Sequence, residues 1–235
     1  MCGAAPAGYE SRRRRPRAGL RIGSVTTPFG SFRFDGERVP PTATVVARRR
    51  TTGLQGLGLV DGVSDDAWIA IARAEAAVDP DAAGRVSIVL LDFNPTPAMN
   101  DDGRDVDALT DFQRFLAPPA RGAITDEVLA GERVFAEIGC ATCHLPSLTT
   151  AANAVAALSR VTFHPYSDFL LHDMGALGDG IAQGQARPAD MRTAPLWGLR
   201  AAGRLLHDGS ANGIEQAILR HDGLMFLILY LTAQA

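Results

Sequence analysis

The chain has 235 residues, 46% hydrophobic and 21% charged, a balance that suits a globular chain and excludes a disordered one. Its net charge of −3 leaves no overall basic field for nucleic acid. All 23 basic residues are Arg, a compositional bias, and the longest apolar run, Leu224 to Leu231, is too short to form a transmembrane segment.

Residues 1–45 are rich in Arg, Pro, Gly and Thr and read as loosely ordered, with a short strand pair around Gly30 to Arg38. The runs Arg12 to Arg15 and Arg48 to Arg50 can touch phosphate or lipid headgroups, though such runs are more often solvated tails or faces. The basic-then-apolar pattern of a secretory signal is not visible, so the chain reads as a fragment or as lacking its upstream leader. Residues 46–118 form a second segment. It opens with Gly53-Leu54-Gln55-Gly56-Leu57-Gly58, which is no dinucleotide fingerprint because strand, helix and downstream acid do not accompany it. A helix is predicted from about Asp65 to Ala77, then an Asp-, Pro- and Gly-rich loop over 78–105. A short helix near Asp107 to Leu116 leads to the breaker pair Pro118-Pro119.

Residues 119–235 form the third segment. Thr125-Asp126-Glu127 reads as a helix N-cap with acids in the first turn. Val128, Gly131, Phe135 and Ile138 then share one helical face, and Gly131 in that face suggests that another backbone passes close by. The helix delivers Cys140-Ala141-Thr142-Cys143-His144. This is C-x-x-C-H, the attachment motif of c-type haem. Two thiols three positions apart can add to the two vinyl groups of one porphyrin, and the following imidazole reaches the iron. A redox dithiol would want a thioredoxin-like setting rather than a preceding helix, and structural zinc needs four ligands where only Cys2 remains as another thiol. Both alternatives stay open as a non-haem redox or metal-binding module.

Past the motif come Pro165-Tyr166-Ser167-Asp168-Phe169-Leu170-Leu171-His172-Asp173-Met174-Gly175, Arg192-Thr193-Ala194-Pro195-Leu196-Trp197-Gly198-Leu199, Leu206-His207-Asp208-Gly209 and Ile214-Glu215-Gln216-Ala217-Ile218-Leu219. This succession resembles the di-haem oxidoreductase family, peroxidase-like proteins related to bacterial di-haem cytochrome c peroxidases. Arg49 to Leu59 is similar to a segment between that family's two haem regions, so the likeness covers about 46–77 and 105–223. The resemblance implies a mainly α, cytochrome c-like helical haem domain preceded by an irregular, partly helical segment. It also implies one covalent haem c, a periplasmic setting, a redox partner such as a cytochrome or copper protein, and hydrogen peroxide as a possible substrate. The family's other C-x-x-C-H, on the haem where peroxide would be cleaved, has no counterpart here, so the chain resembles the electron-transfer half.

His144 is the expected iron ligand on one face. For the other, His221 shares a helical face with Ile214, Ala217 and Ile218. It also stands fourteen residues after His207, the offset of the distal ligand in related di-haem peroxidases. Met174, a soft thioether thirty residues after His144, is the alternative ligand, although a Met beside leucines is more often core filling. Arg192 and Arg204 are candidate partners for haem propionates. His172 and His207 each precede an Asp and read as turn residues or as groups near a propionate; Trp197 packs on the porphyrin edge or in the core.

Overall fold

The structure, a computed structural model, describes residues 25–27, 30–32, 41–44, 46–47, 49–50, 53–88 and 104–221. The chain divides into two units, Met1–Val46 and Ala47–Ala235. In the first, strands β1 (Val25–Thr27) and β2 (Gly30–Phe32) pair antiparallel, Val25 opposite Phe32, earlier in the chain than the expected pair.

The second unit carries five short-to-medium helices among the described residues: α1 (Leu57–Asp61), α2 (Asp65–Val78), α3 (Arg104–Arg114), α4 (Asp126–Glu137) and α5 (Ile214–Leu219). Helix α2 starts where Ser64 Oγ accepts the Ala67 N–H at 3.3 Å, with Asp65 and Asp66 in its first turn. Thr125 caps α4 likewise, accepting the Val128 N–H at 3.3 Å. Between the cysteine motif and α5 the chain is held by strand pairs and single 3-10 turns. Strand β3 (Leu148–Thr149) pairs β4 (Thr162–Phe163), and β5 (Leu171–Asp173) pairs β6 (Asp190–Arg192), all antiparallel. Arg85 bridges the other edge of β5, exchanging 2.8 and 3.0 Å backbone bonds with Leu171.

The expected mainly α, cytochrome c-like fold is therefore corrected. Residues 145–213 hold many Pro, Gly, Asp and Thr and no sustained helical stripe, so their backbone groups pair across short antiparallel ladders instead. At Gly131, where a close backbone is expected, a Cβ would meet nothing within 4 Å among the described residues. The apolar run Leu224 to Leu231 lies outside them.

Val63, Leu148 and Phe163 make the buried core, with Leu59, Val60, Trp68, Ile71, Phe169 and Trp197 packed around it. Trp197 belongs to this core, its ring 6.3 Å from Phe163 and 6.5 Å from Phe169. The glycines of 53–58 serve packing. A Cβ on Gly58 would lie 2.0 Å from the Arg114 carbonyl oxygen, so only glycine lets α1 cross the end of α3. The arginine run at 48–50 is partly tied into the fold: Arg49 Nε donates to Asp179 Oδ2 at 2.6 Å, and the Arg50 N–H to the His207 carbonyl at 2.7 Å.

Candidate functional site

The site grows from the end of α4. Gly139, at φ 84°, turns the chain out of the helix into a 3-10 turn, Cys140–Thr142. Cys140, Cys143 and His144 follow one another on that turn, with the His144 N–H bonded to the Cys140 carbonyl at 3.0 Å. Both cysteines are free and half-buried. Burial pushes the Cys140 thiol up, and neighbouring Cys143 adds to this.

His144 sits edge-on to Phe135, ring centroids 6.4 Å apart. Its Nδ1 is 2.8 Å from the Tyr166 carbonyl oxygen. A carbonyl only accepts, so Nδ1 carries the proton and the neutral ring presents its lone pair at Nε2. Burial lowers the His144 pKa; the Tyr166 bond opposes this and charge on His221 adds to it. Tyr166 holds that carbonyl in place from a left-handed backbone, φ 51°. Its hydroxyl donates to Glu132 Oε1 of α4 at 2.6 Å, and Arg121 pairs with Glu132 while lying 5.7 Å over the tyrosine ring. The Tyr166 and Arg121 bonds hold the Glu132 carboxyl below its ordinary range.

His221 repeats the arrangement. Just past α5, its Nδ1 donates to the Ala217 carbonyl at 2.7 Å. Neither Nε2 has a hydrogen-bond partner among the described residues.

Behind Cys143 lies a buried polar cluster. Cys143 Sγ is 3.6 Å from His172 Nδ1, which donates to the Ala82 carbonyl at 3.0 Å, while His172 Nε2 donates to Asp168 Oδ2 at 2.7 Å. Burial disfavours the cation, yet the bonds to Asp168 and Cys143 outweigh it and push the His172 pKa up to about 11. Glu75 of α2 closes the cluster: Oε2 accepts the Gly84 N–H at 2.8 Å, and Oε1 is buried with no hydrogen-bond partner within reach among the described residues. Burial pushes Glu75 up to about 7; the Gly84 bond opposes this, and the nearby Asp168 carboxylate adds to the rise.

The structure thus keeps Cys140, Cys143 and His144 together at the end of α4, while the bonds of His221 run to Ala217 and Ile218 of α5. Met174 is half-buried after β5, its N–H bonded to the Ala189 carbonyl at 2.9 Å. Arg192 is exposed on β6 opposite Leu171 and makes no ion pair among the described residues. The turn expected at His172-Asp173 is replaced by a buried strand residue bonded backward to Asp168; at His207-Asp208 a turn does form, Asp208 Oδ1 accepting the Ser210 N–H at 2.9 Å. Asp168, Glu75, Tyr166 and Glu132 were not singled out by sequence reasoning. Only the four-residue separation of Asp168 from His172 hints at their pairing, and without a helix there that spacing has no meaning.

Residues 84–227 match the family described as "Di-haem oxidoreductase, putative peroxidase". The chain belongs to that family. The family description names haem and an oxidoreductase activity for its members. Neither the curated proteins nor the solved structures provide an individual match.

Proposed function

We propose that this di-haem oxidoreductase family member binds one c-type haem covalently and passes electrons through it, as the electron-transfer half of a peroxidase-like protein. One observation carries the proposal: the Nδ1 proton of His144 is engaged by the Tyr166 carbonyl, leaving its Nε2 free beside two free thiols, and His221 has its Nδ1 proton engaged by a carbonyl in the same way. That donor set fits a haem held by two thioethers and two imidazole nitrogens, each second-nitrogen bond fixing the tautomer that a metal ligand needs. Cys140 and Cys143 would hold the porphyrin, with His144 as one axial ligand and His221 as the other; Met174 is the alternative to His221, and Arg192 a propionate partner. The haem supplies one-electron iron chemistry when bound. The chain's part is to orient His144 through the Tyr166 carbonyl and to pack its imidazole edge-on to Phe135. Residues 119–235 are the haem-bearing segment, 46–118 completes its core, and the setting is the periplasm, where a cytochrome or copper protein exchanges the electron.

The family description favours a second reading, a peroxidase that reduces hydrogen peroxide with electrons from a cytochrome. Two bound imidazoles would leave no open iron position and slow that reaction. Chain exported with the c-type maturation machinery should keep its pigment through acid–acetone extraction and give a c-type pyridine haemochrome. A colourless product would end both proposals and leave the cysteine pair as a dithiol or metal module. His221→Ala should turn a low-spin spectrum toward high spin. An unchanged spectrum would move the ligand to Met174, and fast peroxide turnover by the unmodified chain would favour the enzyme.

A further inference from the structure

The two cysteines of the motif are not held alike. The Cys140 thiol bonds no group beyond its own backbone among the described residues, whereas the Cys143 sulfur lies against a fixed N–H. His172 cannot turn in place: its two nitrogens face acceptors on opposite sides, the Ala82 carbonyl at 3.0 Å and Asp168 Oδ2 at 2.7 Å, so rotation would set a C–H against a carboxylate. Asp168 is itself locked. It is fully buried, its Oδ1 accepts the Leu170 N–H at 2.9 Å, and its own N–H donates to the Cys143 carbonyl at 2.9 Å. The backbone bond from Asp168 to Cys143 and the side-chain path Asp168–His172–Cys143 therefore close a ring through the second cysteine. Gly84 makes room for it, since a Cβ there would lie 2.6 Å from His172 Nε2.

Building on the haem attachment proposed above, we infer that the Asp168–His172 pair positions the Cys143 sulfur for the second thioether bond. In that step the sulfur bonds the inner carbon of a vinyl group and the thiol hydrogen ends on the outer carbon, so no electron enters or leaves and no other reactant is needed. Once one thioether anchors the porphyrin, the second closes within a single molecule, and its rate depends on how narrowly the remaining sulfur is aimed. His172 narrows it by placing an N–H on one side of that sulfur. His172 acts only by its contact with the Cys143 sulfur and Asp168 only through His172, so both are positioning residues.

The test compares wild type, His172→Gln and His172→Asn, each exported with the maturation machinery. Mass spectrometry of the haem peptide shows which cysteine carries a thioether, and the pyridine haemochrome band shows whether one vinyl remains. A glutamine amide reaches toward Asp168 but not toward Cys143; an asparagine amide stands near the place of Nδ1. The expected result is a Cys140 bond kept in both variants. The Cys143 bond should fall by about tenfold in His172→Gln and be partly restored in His172→Asn. Equal attachment at both cysteines in all three proteins would overturn the inference. Loss of both bonds together in the variants would also overturn it, by showing that His172 merely supports the fold. A colourless wild type would instead remove the haem proposal itself, an outcome read from the unmodified chain alone.

Discussion

At the scale of single residues, the site depends on groups that titrate or bond out of sight of solvent. Glu75 is held protonated to about pH 7 against an ordinary value of 4.5. Between those two values the folded chain keeps a proton that the unfolded chain has released, so stability falls as pH rises through that window. Glu75→Gln, which fixes the neutral form, should flatten this slope. Denaturant midpoints at pH 5 and pH 8 should differ clearly in wild type and little in the variant, and equal differences would refute the assignment. Tyr166→Phe should cost about 1 kcal/mol in unfolding free energy, since it removes the 2.6 Å bond that ties the left-handed residue to Glu132. The C-x-x-C-H spacing of Cys140 to His144 stands out in the sequence itself, and the haem attachment proposed for it would account for that spacing. Its supports do not stand out. Tyr166 acts through a backbone carbonyl, which any residue type has, and Asp168 acts through a strand rather than a helix, so neither carries a mark in the sequence.

At the scale of elements, what was legible follows from where local chemistry decides the backbone. Helix α2 was expected from Asp65 to about Ala77 and runs to Val78, because Ser64 and the two following acids fix its start. Thr125 did the same for α4. Thr125→Ala should accordingly cost about 1 kcal/mol, measured as a lower denaturant midpoint. Strands β3 to β6 are two or three residues long, too short to show an alternating pattern, and only pairing with distant residues makes them strands. The glycines before α1 were visible but their purpose was not, because the partner is the carbonyl of Arg114 more than fifty positions on. Gly58→Ala forces α1 away from α3, and a loss of about 1–3 kcal/mol is expected in the same unfolding measurement.

For the molecule as a whole, the family was legible from ordered blocks of residues, while the helical fold expected with it was not what the chain builds. The likeness carried a fold expectation into residues 145–213, where the local composition favours turns and short ladders. A single C-x-x-C-H predicts one haem per chain, to be read as haemochrome absorbance against protein concentration; a ratio of two would need an attachment site of another kind. The surface also bears on handling. Val106, Leu109 and Phe112 of α3, with Phe115 just beyond, are each more than half exposed, at 59%, 60%, 62% and 54%. Phe112→Glu should reduce binding of a hydrophobic dye while shifting stability by no more than about 0.5 kcal/mol.

Gly84 is where the matched family region begins, and it has no side chain to contribute. Its emptiness is nonetheless what the imidazole of His172 occupies, while its amide holds Glu75. A lone methyl group introduced there would therefore travel: it would shove the ring, loosen the carboxylate behind it, and surface as a misdirected sulfur on the far side of the cluster. The least reactive position in the chain is thus among those where change is least tolerable.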